Sequence, residues 1–306
     1  MGGIDLNGTV PEFQKFGIQD KIIGFIKLLR PKQWIKNLFV FAAIAFSKNI
    51  FNADAFMKVL LAFFAFCMVS SCIYILNDIV DMEKDRQHPR KRKRPIAAGI
   101  VSRLEAGFIM VILAPLSLVP SFLLDPVFGV IILVYILNNV LYSLKIKHVV
   151  ILDVMSIALG FLLRVSGGAV VIDVEMSPWL LLCTLLLSLF LGFSKRRNEL
   201  FILEGNADKH RKILEEYSLQ FIDNMLSIVT ASTVMAYSLY TFSAHSNKYM
   251  MITIPFILYG IFRYQYIVYK KNEGGSPDEI VLSDKPLIIN ILLWITSSII
   301  IIYAVK

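Results

Sequence analysis

Cysteine, histidine and charge are all scarce in this chain, and each scarcity excludes something. The three cysteines, Cys67, Cys72 and Cys183, sit in apolar runs without metal-ligand spacing, so neither a disulfide framework nor a zinc site is expected. The four histidines, His88, His148, His210 and His245, are scattered and form no metal pair. Only 18% of the 306 residues are charged, against roughly a quarter in a soluble domain. With 57% hydrophobic residues and a mean hydropathy of +0.66, that shortage excludes an ordinary soluble protein and points to a polytopic membrane protein. Residues 1–20 lack the apolar stretch of a cleavable signal peptide and read as a polar leader. The net charge of +8 suggests nucleic acid as a partner, but no nucleic-acid motif is present and the bases sit in short loops. The positive charge is read instead as an orientation signal that also attracts anionic headgroups.

What is abundant is long apolar sequence. Runs near 34–45, 56–78, 104–124, 127–144, 151–172, 178–194, 221–242, 249–269 and 286–305 make about nine crossings, the first of them short. They are continuous rather than alternating, so the fold class is all-α and not a barrel: in lipid, helices satisfy their own backbone. Pro115 and Pro120 are expected to kink the third crossing. Residues 21–306 form a single transmembrane domain, with 21–30 lying along the interface ahead of Trp34. Basic segments (the leader, 84–103, 145–147, 195–212, 270–285) alternate with poor ones (46–55, 125–126, 173–175, 243–248), which places the N-terminus inside and the C-terminus outside. Monomer and homo-oligomer stay open, because lipid-facing and subunit-facing apolar surfaces look alike.

The second run ends in Asn77-Asp78-Ile79-Val80-Asp81-Met82-Glu83-Lys84-Asp85. Acids at the end of a crossing are costly and mark a functional site by default. If the helix continues, Asp78, Asp81 and Asp85 line one face. Oxygen ligands so arranged suit a hard cation such as Mg2+, which usually also holds substrate phosphates. The dense bases of His88-Pro89-Arg90-Lys91-Arg92-Lys93-Arg94-Pro95 follow at once, and acids for a metal beside bases for anions is the layout of a diphosphate site. The competing reading is a solvated helix end next to a topology signal.

Two further groups share that level. Tyr142 and Lys145 end the fourth helix and Asp153 opens the fifth, with Arg164 about three turns on and near the same face. An Arg in mid-crossing faces a cavity or a partner. Its plainer reading is a contact inside the bundle, and Gly160, Gly167 and Gly168 read first as close helix packing. The sixth helix ends in Lys195-Arg196-Arg197-Asn198-Glu199, where arginines suit bidentate phosphate contacts and equally suit positive-inside anchoring.

Asn77-Asp78-x-x-Asp81-x-x-x-Asp85, followed by Arg94-Pro95-Ile96-Ala97-Ala98-Gly99, resembles the first motif of the UbiA superfamily of intramembrane prenyltransferases. The resemblance extends from Leu29-Arg30-Pro31-Lys32-Gln33-Trp34 to the last helix. It implies nine helices around a cytoplasm-facing cavity with Mg2+ and a diphosphate at its mouth. His88-Pro89-x-Lys91-x-x-Arg94, Tyr142-Ser143 with Lys145 and Asp153, Gly160-Phe161-x-x-Arg164 and Gly192-Phe193-x-Lys195-Arg196-Arg197-x-Glu199-Leu200 resemble the decaprenyl-phosphate phosphoribosyltransferase branch. Typical prenyl-transferring members carry a second Asp-x-x-x-Asp motif, whereas here Ile157 stands where the second acid would be.

This branch implies transfer of 5-phosphoribosyl from phosphoribosyl pyrophosphate to a polyprenyl phosphate, in a bacterial plasma membrane. It also implies roles. Asp78, Asp81 and Asp85, with Asn77, would hold Mg2+, and Asp153 would complete the catalytic acids. Lys32, Lys91, Arg94, Tyr142, Lys145, Arg164, Lys195, Arg196 and Arg197 would hold substrate and its phosphates. The alternatives are prenyl transfer to an aromatic acceptor and, in a different class, a transporter or lipid-binding protein, against which the lack of a two-fold internal repeat counts.

Overall fold

The computed structural model describes residues 17–87, 91–203, 212–243, 248–271 and 277–304, and all of its elements are helical. The leader up to residue 16, His88, Pro89, His210 and His245 lie outside the described residues. In chain order the α-helices are α1 (Ile18–Leu29), α2 (Ala42–Phe46), α3 (Ala53–Val80), α4 (Met82–Gln87), α5 (Arg103–Leu124), α6 (Pro126–Leu144), α7 (Leu152–Val170), α8 (Pro178–Leu203), α9 (Leu219–Ser243), α10 (Ile254–Tyr266), α11 (Pro277–Ser283) and α12 (Lys285–Ala304).

Among the described residues, eight helical spans are long and apolar enough to cross a membrane, so the chain is a multi-pass membrane protein. The expected first crossing is not one of them. Pro31–Phe41 is a 3-10 helix that α2 continues. At about 2 Å per 3-10 residue and 1.5 Å per α residue the segment is about 30 Å long.

The chain's entry and its two neighbours explain why this tight winding holds. Arg30, left-handed at φ 53, ends α1, and Pro31 starts the next segment with a φ already suited to it. Buried Asn37 donates to Cys67 Sγ (3.2 Å) and Ser70 Oγ (3.3 Å) on α3. On the other side Gly168 of α7 lies so close that a Cβ there would sit 1.9 Å from the Val40 carbonyl oxygen. The segment is therefore wedged between α3 and α7. These two are the inner helices, with 56% and 61% of their spans buried, whereas α5 is 11% buried and faces outward.

The helix caps are local and legible. Asn52 accepts from the amides of Asp54 and Ala55, Asp125 from that of Phe128, and Ser102 with Glu105 forms a capping box. Pro115 and Pro120 sit inside an uninterrupted α5, where Ser117 and Ser121 hydroxyls bond nearby carbonyls. The expected helix near 178–194 is longer, because residues 195–203 continue it as helix. Contacts between helix ends show that consecutive spans run antiparallel. One end of the bundle collects the close of α3, α6, α8 and α10 with the start of α5, α7, α9 and α12. At the other end the Ile50 amide donates to Tyr303 Oη (2.7 Å).

α1 lies across the charged end. Ile18, Ile22, Ile23 and Ile26 are exposed on one side, while Leu28 is buried and Lys21 pairs with Glu105 of α5 (2.7 Å). An amphipathic helix of this kind suits the plane of an interface.

Candidate active site

The acidic stretch keeps its helical path through a small break. Asp81 caps α3 at φ −90, ψ 6, yet its amide still bonds the Asn77 carbonyl (2.9 Å) and its own carbonyl receives the Asp85 amide (2.8 Å). The path preserves the expected shared face for two of the three acids. Arg94 Nη1 donates both to Asp78 Oδ1 (3.0 Å) and to Asp85 Oδ2 (2.6 Å). Both carboxylates are buried, Arg30 donates to the same Asp78 oxygen, and Lys91 Nζ stands 4.0 Å from Asp85. Asp81 is half-buried, and its carboxylate has no side-chain partner among the described residues.

Local turn chemistry aims Arg94. The stretch after it folds back with the Ala98 amide on the Arg94 carbonyl (2.8 Å) and the Ile100 amide on that of Pro95 (2.9 Å). Gly99 at φ 75 supplies the left-handed step that such a turn needs. Buried Ile96 and Ala97 anchor the turn, and Arg86 donates to the Ala97 carbonyl (3.3 Å). Arg30 stacks on Tyr74 at 4.9 Å. Burial, the strongest influence on it, holds this guanidinium below its ordinary pKa against the opposing pull of Asp78.

A second cluster is built around Asp153, which is fully buried. Arg196 Nε donates to its Oδ2 (2.6 Å), and Tyr217 Oη to its Oδ1 (2.8 Å). Because α8 continues past residue 194, Arg196 and Glu199 fall on one face and pair, and Arg196 Nη2 reaches Tyr142 Oη (3.2 Å). The dipeptide Tyr142-Ser143 joins the two clusters, since Ser143 Oγ donates to Asn77 Oδ1 (2.8 Å).

The remaining expected residues lie at varying distance from these clusters. Lys195 comes 3.9 Å from Glu199, and Lys145, at the C-cap of α6, is exposed, as is Lys32. Arg197 turns away to Asp223 (2.7 Å) and stacks on Tyr269 at 3.8 Å. Arg164 does not meet Asp153. It lies buried along α7, donating to Asn37 Oδ1 (2.7 Å), the Gly160 carbonyl (2.7 Å) and Tyr135 Oη (2.8 Å), among the rings of Phe66, Tyr135 and Phe161. Two members of the site were not singled out from sequence, Arg30 and Tyr217. A basic residue before Pro31 at an interface reads as an anchor, and nothing around Tyr217 in a long charged connection marks it.

The donor chemistry fits Mg2+. Among the described residues no three acids, histidines or cysteines converge into a ready cage. Asp78 and Asp85 nevertheless converge as a pair on a single cationic atom, and Mg2+ is usually held by one or two carboxylates together with substrate phosphates. Asn77 and Asp81 stand at the same helix end as further oxygen donors.

Known proteins resemble this chain over most of its length. It is 39% identical over 282 residues to a decaprenyl-phosphate phosphoribosyltransferase of Corynebacterium glutamicum, covering 89% of this chain and 84% of that one. It is 37% identical over 290 residues to the protein of the same name from Mycolicibacterium smegmatis, covering 90% and 91%. A UbiA homologue from Archaeoglobus fulgidus, solved bound to GPP and Mg2+, superimposes with a TM-score of 0.70 at 20% identity, over 91% of this chain and 99% of that one. At that identity the likeness concerns the fold. The UbiA prenyltransferase family itself matches residues 37–279, from the 3-10 segment to α11, and the chain belongs to that family.

Proposed function

We propose that the chain is an Mg2+-dependent transferase that moves 5-phosphoribosyl from phosphoribosyl pyrophosphate to a polyprenyl phosphate. The observation that carries this reading is the similarity, over nearly the whole of each chain, to two proteins named for that transfer. The site supports it. Asp153 pairs with Arg196, and Ile157 stands where the second acid of the Asp-x-x-x-Asp motif of prenyl-diphosphate donors would be.

In this reading an oxygen of the acceptor phosphate forms a bond to the anomeric carbon of the ribose. The bond from that carbon to pyrophosphate breaks, and its electron pair leaves with pyrophosphate. A phosphomonoester is already anionic near neutral pH, so no strong base is required. Asp78 and Asp85, with Asn77 and Asp81, would hold Mg2+, which when bound neutralises charge on the leaving pyrophosphate. Arg94 and Lys91 turn from carboxylates to phosphate oxygens, for which Arg is the better bidentate partner. Lys32, Lys145, Lys195 and Arg197 supply further positive charge at this end, and Arg196 with Tyr142 and Asp153 fixes the facing wall. Arg164, deeper in the bundle, would contact substrate from below. Holding donor and acceptor in line supplies much of the rate. The charged end faces the cytoplasm of a bacterial cell, with the N-terminus inside, the C-terminus outside and the lipid tail leaving between helices.

The test uses purified protein in detergent with Mg2+, labelled phosphoribosyl pyrophosphate and polyprenyl phosphate, and in parallel polyprenyl diphosphate with aromatic acceptors. Label entering the lipid phase, and lost without Mg2+ or in Asp81→Ala, is the expected result. Prenylated aromatic product with no labelled lipid would replace the phosphoribosyl reading by prenyl transfer. Neither product would move the reading to transport or lipid binding.

A further inference from the structure

The residue before α7 is strained. Ile151 stands at φ 69, ψ −47, a region that a β-branched side chain rarely enters. The Leu152 amide bonds the Val150 carbonyl across it (2.8 Å), which makes Ile151 the centre of a γ-turn of the uncommon positive-φ kind. This reversal delivers Asp153 to the first turn of α7, and strained backbone persists only where its surroundings over-determine it.

One hydroxyl provides that support. The Ile151 amide donates to Tyr217 Oη (2.7 Å), and the same Oη donates its proton to Asp153 Oδ1 (2.8 Å). Tyr217 is buried with Ile213 and Leu214, so the end of the connection between α8 and α9 is rooted in the core beside Phe193 and Ile222. Burial, reinforced by Asp153, raises the Tyr217 pKa, so the phenol remains a donor across the neutral range.

We propose that Tyr217 is a positioning residue, locking the strained turn at Ile151 and the Asp153 carboxylate together so that the α8–α9 connection sets the geometry of the Asp153–Arg196 pair. The proposal rests on the function proposed above for what that pair does, but its geometric core stands apart from it. Tyr217 touches no reacting atom. Its role is to hold Asp153 against Arg196, and through Arg196 to hold Tyr142 at the wall facing the acidic cluster.

The test compares wild type, Tyr217→Phe, Asp153→Asn and the double variant as full-length protein in detergent. Phenylalanine keeps the ring against Phe221 and removes only the hydroxyl. The expected result is a fall in kcat of about tenfold or more, from the loss of a hydrogen bond to a charged group, with a smaller change in donor KM. Tyr217→Phe should add little to Asp153→Asn, because both act through one carboxylate. Amide hydrogen exchange at Ile151 should quicken in Tyr217→Phe whether or not the transfer assay gives product. Wild-type-like kinetics, or an effect that adds fully to Asp153→Asn, would overturn the positioning role in an active enzyme. Unchanged exchange at Ile151 would overturn it in any case. An inactive wild type with quickened exchange would instead refute the proposed function and leave the lock standing.

Discussion

Arg196 shows how much one buried charge can hold. It is 1% exposed, and its three nitrogens reach Asp153, Glu199 and Tyr142. Replacing it with methionine fills similar space but takes from the buried Asp153 carboxylate the cation it pairs with. Removing one partner of a buried pair costs about 3–5 kcal/mol. Arg196→Met should therefore lower the unfolding midpoint in detergent, and Asp153→Asn in the same chain should recover part of the loss; an unchanged midpoint would mean that water reaches the pair. The residue types were legible from sequence, since acids and arginines at helix ends are conspicuous in so apolar a chain. Their pairings were not. Asp153 was aligned with Arg164 by helical spacing, but Arg196 arrives from another helix, and Arg164 is taken by Asn37 and Tyr135. Helical periodicity constrains neighbours on one helix and is silent about the next.

At the scale of the element, the segment 31–46 departs most from expectation. Its apolar run is too short for an α-helical crossing, and the tighter 3-10 winding over Pro31–Phe41 lengthens it. Such winding is intrinsically poor, so the neighbours must enforce it. Gly168 does so by letting the backbones of α7 and the 3-10 segment touch, and a methyl group there meets the Val40 carbonyl rather than a side chain that could turn aside. Gly168→Ala is expected to destabilise the protein by at least the 1–3 kcal/mol typical of overpacking. Thermal unfolding of the variant checks this, and a loss well below that range would show that the two backbones can separate at little cost. Gly168 was readable as a packing glycine, but the element it packs against was not. Similarly, the extension of α8 past Ser194 could not be read from hydropathy. A charged turn ends an apolar run without ending a helix.

For the whole molecule, the alternation of basic and poor loops agrees with the arrangement of the helix ends. The acidic segment, Tyr142, Asp153 and Arg196 meet at one end, while Ile50 and Tyr303 meet at the other. The proposed orientation predicts opposite accessibility for two loop lysines, the exposed Lys48 and the half-buried Lys147. With Cys67, Cys72 and Cys183 replaced, Lys48→Cys should react with a membrane-impermeant maleimide on intact cells, and Lys147→Cys only after permeabilisation. The reverse pattern would invert the topology and place the charged end outside.

Composition and run length by themselves determined that this chain is helical, polytopic and charged at one end, because the bilayer leaves a long apolar segment few other choices. Motif spacing located the acids and bases of the candidate site for the same reason: a charge in such a chain needs a purpose. Only the tertiary structure decided which charges meet. It joined Asp78 and Asp85 through Arg94, brought Arg30 in from α1, wedged the 3-10 segment between α3 and α7, and carried Tyr217 to Asp153. Apart from those of Arg94, these contacts join residues far apart in sequence, and they are fixed by how helices pack rather than by any pattern along one of them.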